Sequence, residues 1–298
     1  MLQVIKNRKI WFTVSSLTVI FSIIIFFIWG LKLGIDFTGG SLLEITYFEE
    51  RPQASAVVSA ITESQILENV NVQPTGENGQ ILRFENVTEE KHQEILFSIS
   101  ENFGEIQEER FDSIGPVIGK ELQVKTFWAI IIVLFAIIAY ISYTFRKISK
   151  PVPSYLYGII AIIALFHDIA IVIGMFVLLG HFYNVEVNAS FVAALLTILG
   201  YSVNDTIVIF DRTRENLAKN YHGDFQDVIE RSISESLVRS INSSFTTLLV
   251  LLSVFLFGGE TIRSFMLALI VGIVVGTYSS IFLASPLLLE VKNRIKKI

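Results

Sequence analysis

Long apolar runs divide this chain, and several are long enough to cross a membrane. A helix rises about 1.5 Å per residue, so about 20 apolar residues span the hydrocarbon core of a bilayer. The runs that we predict to be transmembrane helices are Ile10–Gly30, Phe127–Phe145, Ser154–Gly180, Ala189–Phe210, Ser243–Phe257 and Phe265–Leu289. The first run is longer than the apolar core of a secretory signal peptide, so we expect it to remain as a helix.

Residues 31–126, between the first two runs, have the pattern of a small folded domain. Short runs of β-formers and amphipathic stretches alternate there. They predict strands and helices at Ser41–Tyr47, Gln53–Leu67, Asn69–Gln73, Gln80–Glu85, Thr88–Gly104 and Glu105–Phe111. This βαββαβ order is the ferredoxin-like arrangement. The predicted fold is therefore an α-helical membrane protein of six transmembrane helices with an inserted α+β domain.

Charge indicates which side of the membrane each connection occupies. Charged residues make up 17% of the chain, below the quarter or so that is usual in soluble domains. Lysine and arginine gather at both termini and in two connections, at Lys6, Arg8, Lys9, Arg146, Lys147, Lys150, Arg212, Arg214, Lys219, Arg231, Arg239, Lys292, Arg294, Lys296 and Lys297. Cytoplasmic loops carry such an excess, so both termini are predicted to be cytoplasmic.

This orientation places residues 31–126 outside the cytoplasm as an acidic domain with 17 acidic and 7 basic residues. Long segments cross a membrane regardless of their charge, so this acidity does not oppose the orientation. The predicted organisation is a cytoplasmic N-terminus and first helix (1–30), the extracytoplasmic domain (31–126), and a five-helix bundle (127–298). The bundle includes a cytoplasmic loop at 211–242 and a basic C-terminal tail.

Composition also removes several functional classes. The chain has no cysteine, which excludes disulfides, thiolate metal sites and cysteine nucleophiles. It also lacks the G-x-x-x-x-G-K-[ST] motif that binds nucleotide phosphates. We therefore expect no enzymatic activity, no cofactor, no metal and no nucleic-acid partner.

Ionisable residues inside the predicted spans are the main candidates for function. Charged groups in hydrocarbon are costly, so they usually face a bundle interior and take part in function. His167 and Asp168 lie in the third span, and either a hydrogen-bonded packing pair or a proton relay accounts for them. Asn204 and Asp205 lie in the fourth span, and for Asp205 we favour a functional role.

Small residues at helical spacing predict where helices pack closely. In the fourth span they form a stripe at Ala189, Ala193, Thr197 and Gly200. In the sixth span Gly272 and Gly276 form a G-x-x-x-G pair. We interpret that pair as a packing contact.

Five segments resemble motifs of the SecD/SecF family of bacterial protein-export membrane components. In chain order they are Gly34–Gly40, Ser113–Leu122, Tyr201–Asn216, Arg239–Thr247 and Leu256–Gly259. The third is similar to the most specific motif of the family. The matches run from end to end of the chain in the family's order.

The resemblance implies a half-transporter of the resistance-nodulation-division type, in the bacterial cytoplasmic membrane, that pairs with SecD beside the SecYEG channel. Such a unit uses the proton-motive force to assist exported polypeptides at the outer face, with YajC and YidC as further partners. The resemblance also assigns proton passage to Asp205 and Arg239. We hypothesise a cycle in which Asp205 is alternately paired with Arg239 and protonated.

The remaining motif residues have structural interpretations. Asp36, Gly39 and Gly40 are predicted to shape the turn from the first helix into the domain, since glycine allows backbone conformations that other residues avoid. Gly115 and Pro116 belong to the motif before the second span. Asp211 and Arg212 match the family at a helix end, where anchoring to lipid headgroups explains them equally well.

Two alternative functions remain open from the sequence. The first is a purely structural subunit that holds its partners together without conducting protons. The second is a proton-driven small-molecule exporter of the same superfamily. Such exporters usually carry larger outer domains, whereas this chain has a single compact one.

Overall fold

The structure is a computed structural model that describes residues 3–144, 152–219 and 224–295. Its helices and strands are α1 Arg8–Trp29, α2 Ile35–Thr38, β1 Gly40–Tyr47, α3 Ala54–Glu63, β2 Val70–Thr75, β3 Gly79–Phe84, α4 Glu89–Phe103, β4 Ile106–Ile114, α5 Pro116–Thr144, α6 Ser154–Tyr183, α7 Ala189–Ala218, α8 Phe225–Phe257, α9 Glu260–Ser279, a π-helix at Ser280–Ala284, and α10 Ser285–Ile295. Several basic residues used above for orientation lie outside the described residues, namely Arg146, Lys147, Lys150, Lys296 and Lys297. The chain forms two compact units, one of residues 33–127 and one of residues 1–32 with 128–298.

The unit of residues 1–32 and 128–298 contains the long apolar helices, apart from the first part of α5. Among the described residues, six helical stretches are long and apolar enough to cross a membrane: α1, α5, α6, α7, α8 and the continuous α9–α10 stretch. The predicted number of spans is therefore confirmed. Apolar side chains from α6, α7, α9 and α10 form most of the buried core.

Two helices begin well before the predicted spans. α5 begins at Pro116 instead of Phe127, and α8 begins at Phe225 instead of Ser243. Segment 211–242, predicted to be a loop, is helical except at 219 and 224 among its described residues. The apolar run of α8 is preceded by a stretch that contains charged residues. Side chains on one face of the helix are nevertheless buried along that stretch, at Val228, Ile229, Ser232, Ile233 and Ser236. The helix therefore outlasts its apolar stretch, because one face still packs against the bundle.

The sixth span is interrupted by the π-helix just before Pro286. Proline has no backbone N–H, and its ring crowds the carbonyl four residues earlier. A π-helical turn is wider than an α-helical one and relieves such a local conflict. The hydroxyl of Ser285 donates to the carbonyl oxygen of Ser280 at 2.8 Å. The helix thus continues past the proline to Ile295.

The N-terminal turn is tied to the ends of two other helices of the same unit. The carboxylate of Glu230 accepts hydrogen bonds from the backbone N–H groups of Val4 (2.7 Å) and Ile5 (2.8 Å). Nε of Arg8 lies 2.6 Å from Oε1 of Glu290. Val4 and Ile5 are themselves buried. These contacts fix α1 against α8 and α10 at one end of the bundle.

The other unit is the inserted domain, and its predicted βαββαβ order is confirmed. The four strands form an antiparallel sheet in the order β2-β3-β1-β4. Alternate residues of β1, including Leu43, Ile45 and Tyr47, pack against Val57 and Ile61 of α3 and Ile95 and Ile99 of α4. One sheet face thus supplies the domain core, as the period-2 pattern predicts.

Three element boundaries in this domain differ from the prediction by more than one residue. β2 continues through Pro74 to Thr75, and an edge strand tolerates proline because one side of its backbone needs no partner. α3 ends at Glu63, before Gln65 adopts a positive φ of 55°. β4 extends to Ile114 because it pairs with the whole length of β1.

A β-bulge shapes the contact between β4 and α4. The pairing of β1 with β4 shifts register between Glu44 and Ile45. The imidazole of His92 stacks on Phe111, with ring centroids 3.7 Å apart, and its Nε2 lies 3.4 Å from Glu108. Residues three apart on a regular strand face opposite sides, so the bulge is what lets both β4 side chains reach the same histidine.

Candidate functional site

Two buried aspartates lie in neighbouring helices of the membrane unit. Asp168 of α6 is 0% exposed and Asp205 of α7 is 4% exposed. Both were predicted as candidates for proton translocation. A buried carboxylate requires hydrogen-bond partners or a nearby cation to remain charged, so the contacts of each decide what it can do.

Asp168 is surrounded by hydrogen-bond partners. Its Oδ2 accepts from the hydroxyl of Ser202 on α7 at 2.5 Å and from that of Ser279 on α9 at 2.9 Å. Its Oδ1 lies 2.9 Å from Nδ1 of His167. The carboxyl group therefore joins α6, α7 and α9 with both oxygens engaged. This arrangement fits the packing interpretation of the His167–Asp168 pair.

His167 connects Asp168 to α1 through Tyr278. Its ring stacks near that of Tyr278, with centroids 6.0 Å apart, and the Tyr278 hydroxyl lies 3.3 Å from that of Ser15 on α1. Nε2 of His167 is buried and has no hydrogen-bond partner among the described residues. A relay through His167 therefore has no continuation at that nitrogen in this conformation.

Asp205 has different surroundings. Ser240 of α8 and Thr277 of α9 face its carboxyl group. However, its Oδ2 is buried without a hydrogen-bond partner among the described residues, and so is the hydroxyl oxygen of Ser240. The hydroxyl of Thr277 instead lies 2.6 Å from that of Ser244. Asp205 is thus a buried carboxyl group that faces α8 and α9 and has one oxygen without a hydrogen-bond partner among the described residues.

Arg239 precedes Ser240 on α8 and is the cation that acts electrostatically on Asp205. It forms no ion pair with any acidic residue in the described parts of the chain. Its side chain is exposed and lines a cavity of ≈ 540 Å³ together with Ser236 and charged residues of α7 and α8. The cation is therefore near the carboxyl group without being held by it.

The charged residues around this cavity are otherwise paired with one another. Arg214 lies 2.7 Å from Asp211, and Nε of Arg212 lies 2.7 Å from Glu235. Asn216 donates to Glu235 at 2.9 Å. Asp211 and Arg212 thus lie on the α7–α8 hairpin, and their contacts there are ion pairs.

Glu235 is a residue that sequence reasoning missed. It accepts from Arg212 and Asn216 of α7 and from Arg231 of its own helix, the last at 2.8 Å. The spacing of Arg231 and Glu235, four residues apart in a helix, is a signal that could have found part of this network. The contacts from α7 depend on tertiary structure.

Asn204 and Asp205 are adjacent in sequence but face different directions. Successive residues of a helix are about 100° apart, and Asn204 is exposed while Asp205 is buried. Gly200 is also exposed, with open space where a Cβ would lie. The predicted small-residue stripe of α7 therefore forms an outer face of this chain.

Gly272 and Gly276 instead lie against α7 within the chain. A Cβ on Gly272 would be 2.3 Å from the side chain of Ile198, and one on Gly276 would be 2.8 Å from Cβ of Ser202. Both distances are too short for any larger residue without displacement. The two glycines thus allow α9 to approach α7 next to the hydroxyl that binds Asp168.

The glycine motif lies in the inserted domain, away from both aspartates in sequence. Gly39 has a φ of 76°, and a Cβ there would be 2.7 Å from Cα of Pro116. Gly40 has a φ of 128°, and a Cβ there would be 2.9 Å from the carbonyl oxygen of Phe84. Both positions therefore require glycine, for conformation and for space.

The same junction includes the start of α5. A Cβ on Gly119 would be 2.9 Å from the carbonyl oxygen of Phe37, which accepts a hydrogen bond from Gln123 at 2.7 Å. Asp36 lies in the first turn of α2, and Gly115 has open space around it. The two motif segments thus meet through closely packed backbone.

No cluster of three or more potential metal ligands occurs in residues 3–144, 152–219 and 224–295. The arrangement that remains is a buried carboxyl group with one oxygen that has no hydrogen-bond partner among the described residues, and an exposed arginine that acts on it electrostatically. Such a pair can bind and release a proton as the distance between its members changes. Six membrane helices with an inserted ferredoxin-like domain define a polytopic membrane protein.

Comparison with known proteins identifies the family. Residues 95–294 match the C-terminal family model of the protein export membrane proteins SecD/SecF, and residues 24–47 match the SecD/SecF GG motif. The SecF subunit of the protein translocase of Thermobaculum terrenum is 39% identical over 99% of this chain and 95% of its own length. That of Sebaldella termitidis is 38% identical over 99% and 93%. The chain belongs to the SecD/SecF family of protein export membrane proteins.

A solved structure supports the same conclusion. The crystal structure of SecDF from Thermus thermophilus, a translocon-associated membrane protein, matches with a TM-score of 0.85 and 30% identity over 97% of this chain. The match covers only 38% of the SecDF chain. The chain thus spans nearly the full length of its SecF relatives and less than half of SecDF.

Proposed function

We propose that this chain is the SecF half of a proton-coupled SecD–SecF unit that assists protein export. Asp205 is the group that binds and releases the proton, and Arg239 is the cation whose approach favours the charged carboxylate. The observation that carries this proposal is the buried Oδ2 of Asp205, which has no hydrogen-bond partner among the described residues, together with the electrostatic influence of Arg239 on that carboxyl group. In this proposal the proton gradient supplies the energy, and the chain catalyses no reaction of its own.

The size of that energy supports a mechanical role. One charge that crosses a membrane at 100 mV provides about 2.3 kcal/mol. This is enough to change the ratio of two conformations by about fiftyfold, since about 1.4 kcal/mol corresponds to a factor of ten. Protonation of Asp205 removes its attraction to Arg239 and thereby favours a different position of α8.

An exposed face of α7 supports the partnership with SecD. Asn204 lies on that face with the small residues Ala193, Thr197 and Gly200. An amide in contact with lipid is unfavourable, whereas small residues allow another helix to approach and bond to it. α5 also buries little of its apolar surface within this chain. We propose that helices of SecD cover these surfaces.

The remaining proposals concern placement. The unit lies in the bacterial cytoplasmic membrane beside SecYEG, with YajC and YidC as further partners, and exported polypeptides meet it at the outer face. Both termini are cytoplasmic and residues 31–126 are extracytoplasmic. The absence of cysteine allows a clean test. In intact cells an impermeant maleimide should label a Glu77→Cys variant and leave an Ala218→Cys variant unlabelled; the reverse pattern overturns the orientation.

The mechanism is tested by Asp205→Asn. This change removes the titrating proton and keeps the size of the side chain. The variant should copurify with SecD as the wild type does and lose the part of export that depends on the proton gradient. Asp227→Asn is a matched control, because Asp227 is exposed on α8 and does not line the cavity that contains Arg239. Full proton-dependent export by an assembled Asp205→Asn unit would leave a structural, non-conducting role as the better account.

A further inference from the structure

An aromatic side chain is exposed in the middle of an acidic helix face on the inserted domain. Phe97 of α4 is 68% exposed. Glu90, Glu94 and Glu101 share its face, because positions i, i+4, i+7 and i+11 of a helix lie nearly in line. A large apolar side chain on a small domain normally lies in the core, as Ile95 and Ile99 of the same helix do.

A groove runs beside this face. It has a volume of ≈ 480 Å³, and its walls are the turn after α3, with Ser64 and Ile66, and the face of α4 that carries Phe97. We call this feature the Phe97 groove. The hydroxyls of Ser64 and Ser98 lie 3.4 Å apart at the contact between the two helices, so the groove has a floor held by the fold.

Charge indicates what the groove accepts. Its three glutamates form no ion pair with any cation in the parts of the chain that the structure describes. Neither lysine nor arginine is among its described lining residues. Unpaired carboxylates around an exposed aromatic ring attract cations and repel anions, and a buried aromatic anchor contributes strongly to affinity.

We propose that the Phe97 groove binds a cationic segment of unfolded polypeptide through an apolar side chain that packs on Phe97. Lysine or arginine on either side of that residue pairs with Glu90, Glu94 and Glu101. The identity of the segment as part of an exported chain rests on the proposed function, whereas binding itself needs neither a proton gradient nor Asp205.

Shape and charge together make the binding selective without a fixed sequence. Surface ion pairs contribute little individually, so the groove holds a segment weakly and releases it easily. The surrounding domain adds a general attraction, because residues 31–126 carry 17 acidic and 7 basic residues. Such a field raises the local concentration of cationic segments near the groove.

The test uses the full chain in nanodiscs of zwitterionic lipid, with no proton gradient. The probe is a fluorescein-labelled peptide with two lysines on each side of a central phenylalanine, and binding is followed by fluorescence anisotropy. Phe97→Ser should weaken binding about tenfold. The triple change Glu90→Gln, Glu94→Gln and Glu101→Gln should also weaken it about tenfold and reduce its sensitivity to salt.

Matched controls separate the groove from the general charge of the domain. Phe48 is 64% exposed on the same domain, so Phe48→Ser should leave binding unchanged. Glu49→Gln, Glu50→Gln and Glu77→Gln change the same number of exposed charges elsewhere, and should have less than a twofold effect. A peptide with glutamates in place of lysines should not bind the wild-type protein. This control requires no variant of the protein.

Each result decides the proposal. Loss of binding in the groove variants but not in the controls supports it. Equal binding by Phe97→Ser, equal effects of the two triple variants, or binding of the acidic peptide overturns it. If the groove binds the probe but Asp205→Asn retains proton-dependent export, the proposed function fails while this site stands. The opposite pair of results rejects the site alone.

Discussion

Asp168 and Asp205 are both buried aspartates in membrane helices, and they differ in how their oxygens are used. Asp168 accepts hydrogen bonds from two other helices and lies beside His167. Asp205 leaves Oδ2 without a partner and has an unpaired arginine nearby. Burial alone therefore does not distinguish the two carboxyl groups.

The difference has a physical meaning. A fully hydrogen-bonded carboxyl group stabilises one packing of the helices, and changing its protonation breaks several contacts at once. A poorly satisfied one loses little when its protonation changes and gains much when a cation approaches. We therefore assign Asp168 to the stability of the bundle and Asp205 to its proposed change of state.

The largest effect is expected for the Asp205–Arg239 pair. Asp205→Asn and Arg239→Ala should each abolish the proton-dependent part of export, and the double variant should be no worse than either one. Residues that act as one unit give such non-additive effects. The measurement is export into inverted membrane vesicles with and without a proton gradient. Additive partial losses would show that the two residues act independently.

The second effect concerns stability. Asp168→Leu removes the acceptor that joins three helices and leaves the hydroxyls of Ser202 and Ser279 without it. The expected loss is about 2 kcal/mol, since two interhelical hydrogen bonds in a membrane contribute about 1 kcal/mol each. The free energy of unfolding in mixed detergent and SDS measures it. Asp205→Asn should change that value by less than about 0.5 kcal/mol; a loss as large as that of Asp168→Leu would erase the distinction.

The third effect tests the close approach of α9 and α7 beside the Asp168 contact. Gly276→Ala places a Cβ 2.8 Å from that of Ser202, and overpacking of this kind costs about 1–2 kcal/mol. Gly200→Ala is the matched control, because a Cβ there meets open space. In the isolated chain this control should be neutral or stabilising by up to about 1 kcal/mol. The same unfolding assay applies, and equal effects at both positions would count against the packing role.

The smallest effect concerns Glu89, a solvent-exposed carboxylate of the inserted domain. It can be compared with the two buried aspartates of the membrane helices. Hydrogen bonds from Gln93 and then His92 hold the pKa of Glu89 below its usual range. A pKa that is lower in the folded state stabilises the domain above the unfolded value of about 4.3. That contribution is lost as pH falls through the folded value.

Gln93→Ala removes the larger of these two causes, so the pKa of Glu89 should rise toward its ordinary value. Carbon-13 NMR of the labelled glutamate carboxyl, assigned with Glu89→Gln, measures it. His92→Phe should raise the pKa by a smaller amount. An unchanged titration of Glu89 in the Gln93→Ala variant would show that the hydrogen bond has no effect in solution.

Local pattern accounts for what could be predicted of the fold. Runs of about 20 apolar residues identify membrane helices whatever they pack against, and alternation within residues 31–126 predicted the βαββαβ order. Helix ends were predicted less well, since α8 begins at Phe225 and not at Ser243. An apolar run predicts the part of a helix that lies in the membrane. The helix itself extends as far as its amphipathic face packs against the rest of the bundle.

The identities of the candidate site residues could be predicted from the sequence, but their orientation in the bundle could not. Sequence alone identified His167, Asp168, Asn204 and Asp205, because polar residues in apolar spans are rare and costly. It also identified the glycine positions. It did not reveal which of these residues face the interior, because a one-residue step turns a helix by about 100°.

The sequence by itself thus determined the number of spans, the order of the inserted domain and the small set of polar residues inside the membrane. Tertiary structure decided which aspartate is satisfied. The hydroxyls that bind Asp168 lie 34 and 111 residues away along the chain, and no local pattern connects them to it. Whether a buried carboxyl group has partners depends on helices that meet only in three dimensions, and their packing leaves Oδ2 of Asp205 without a hydrogen-bond partner among the described residues.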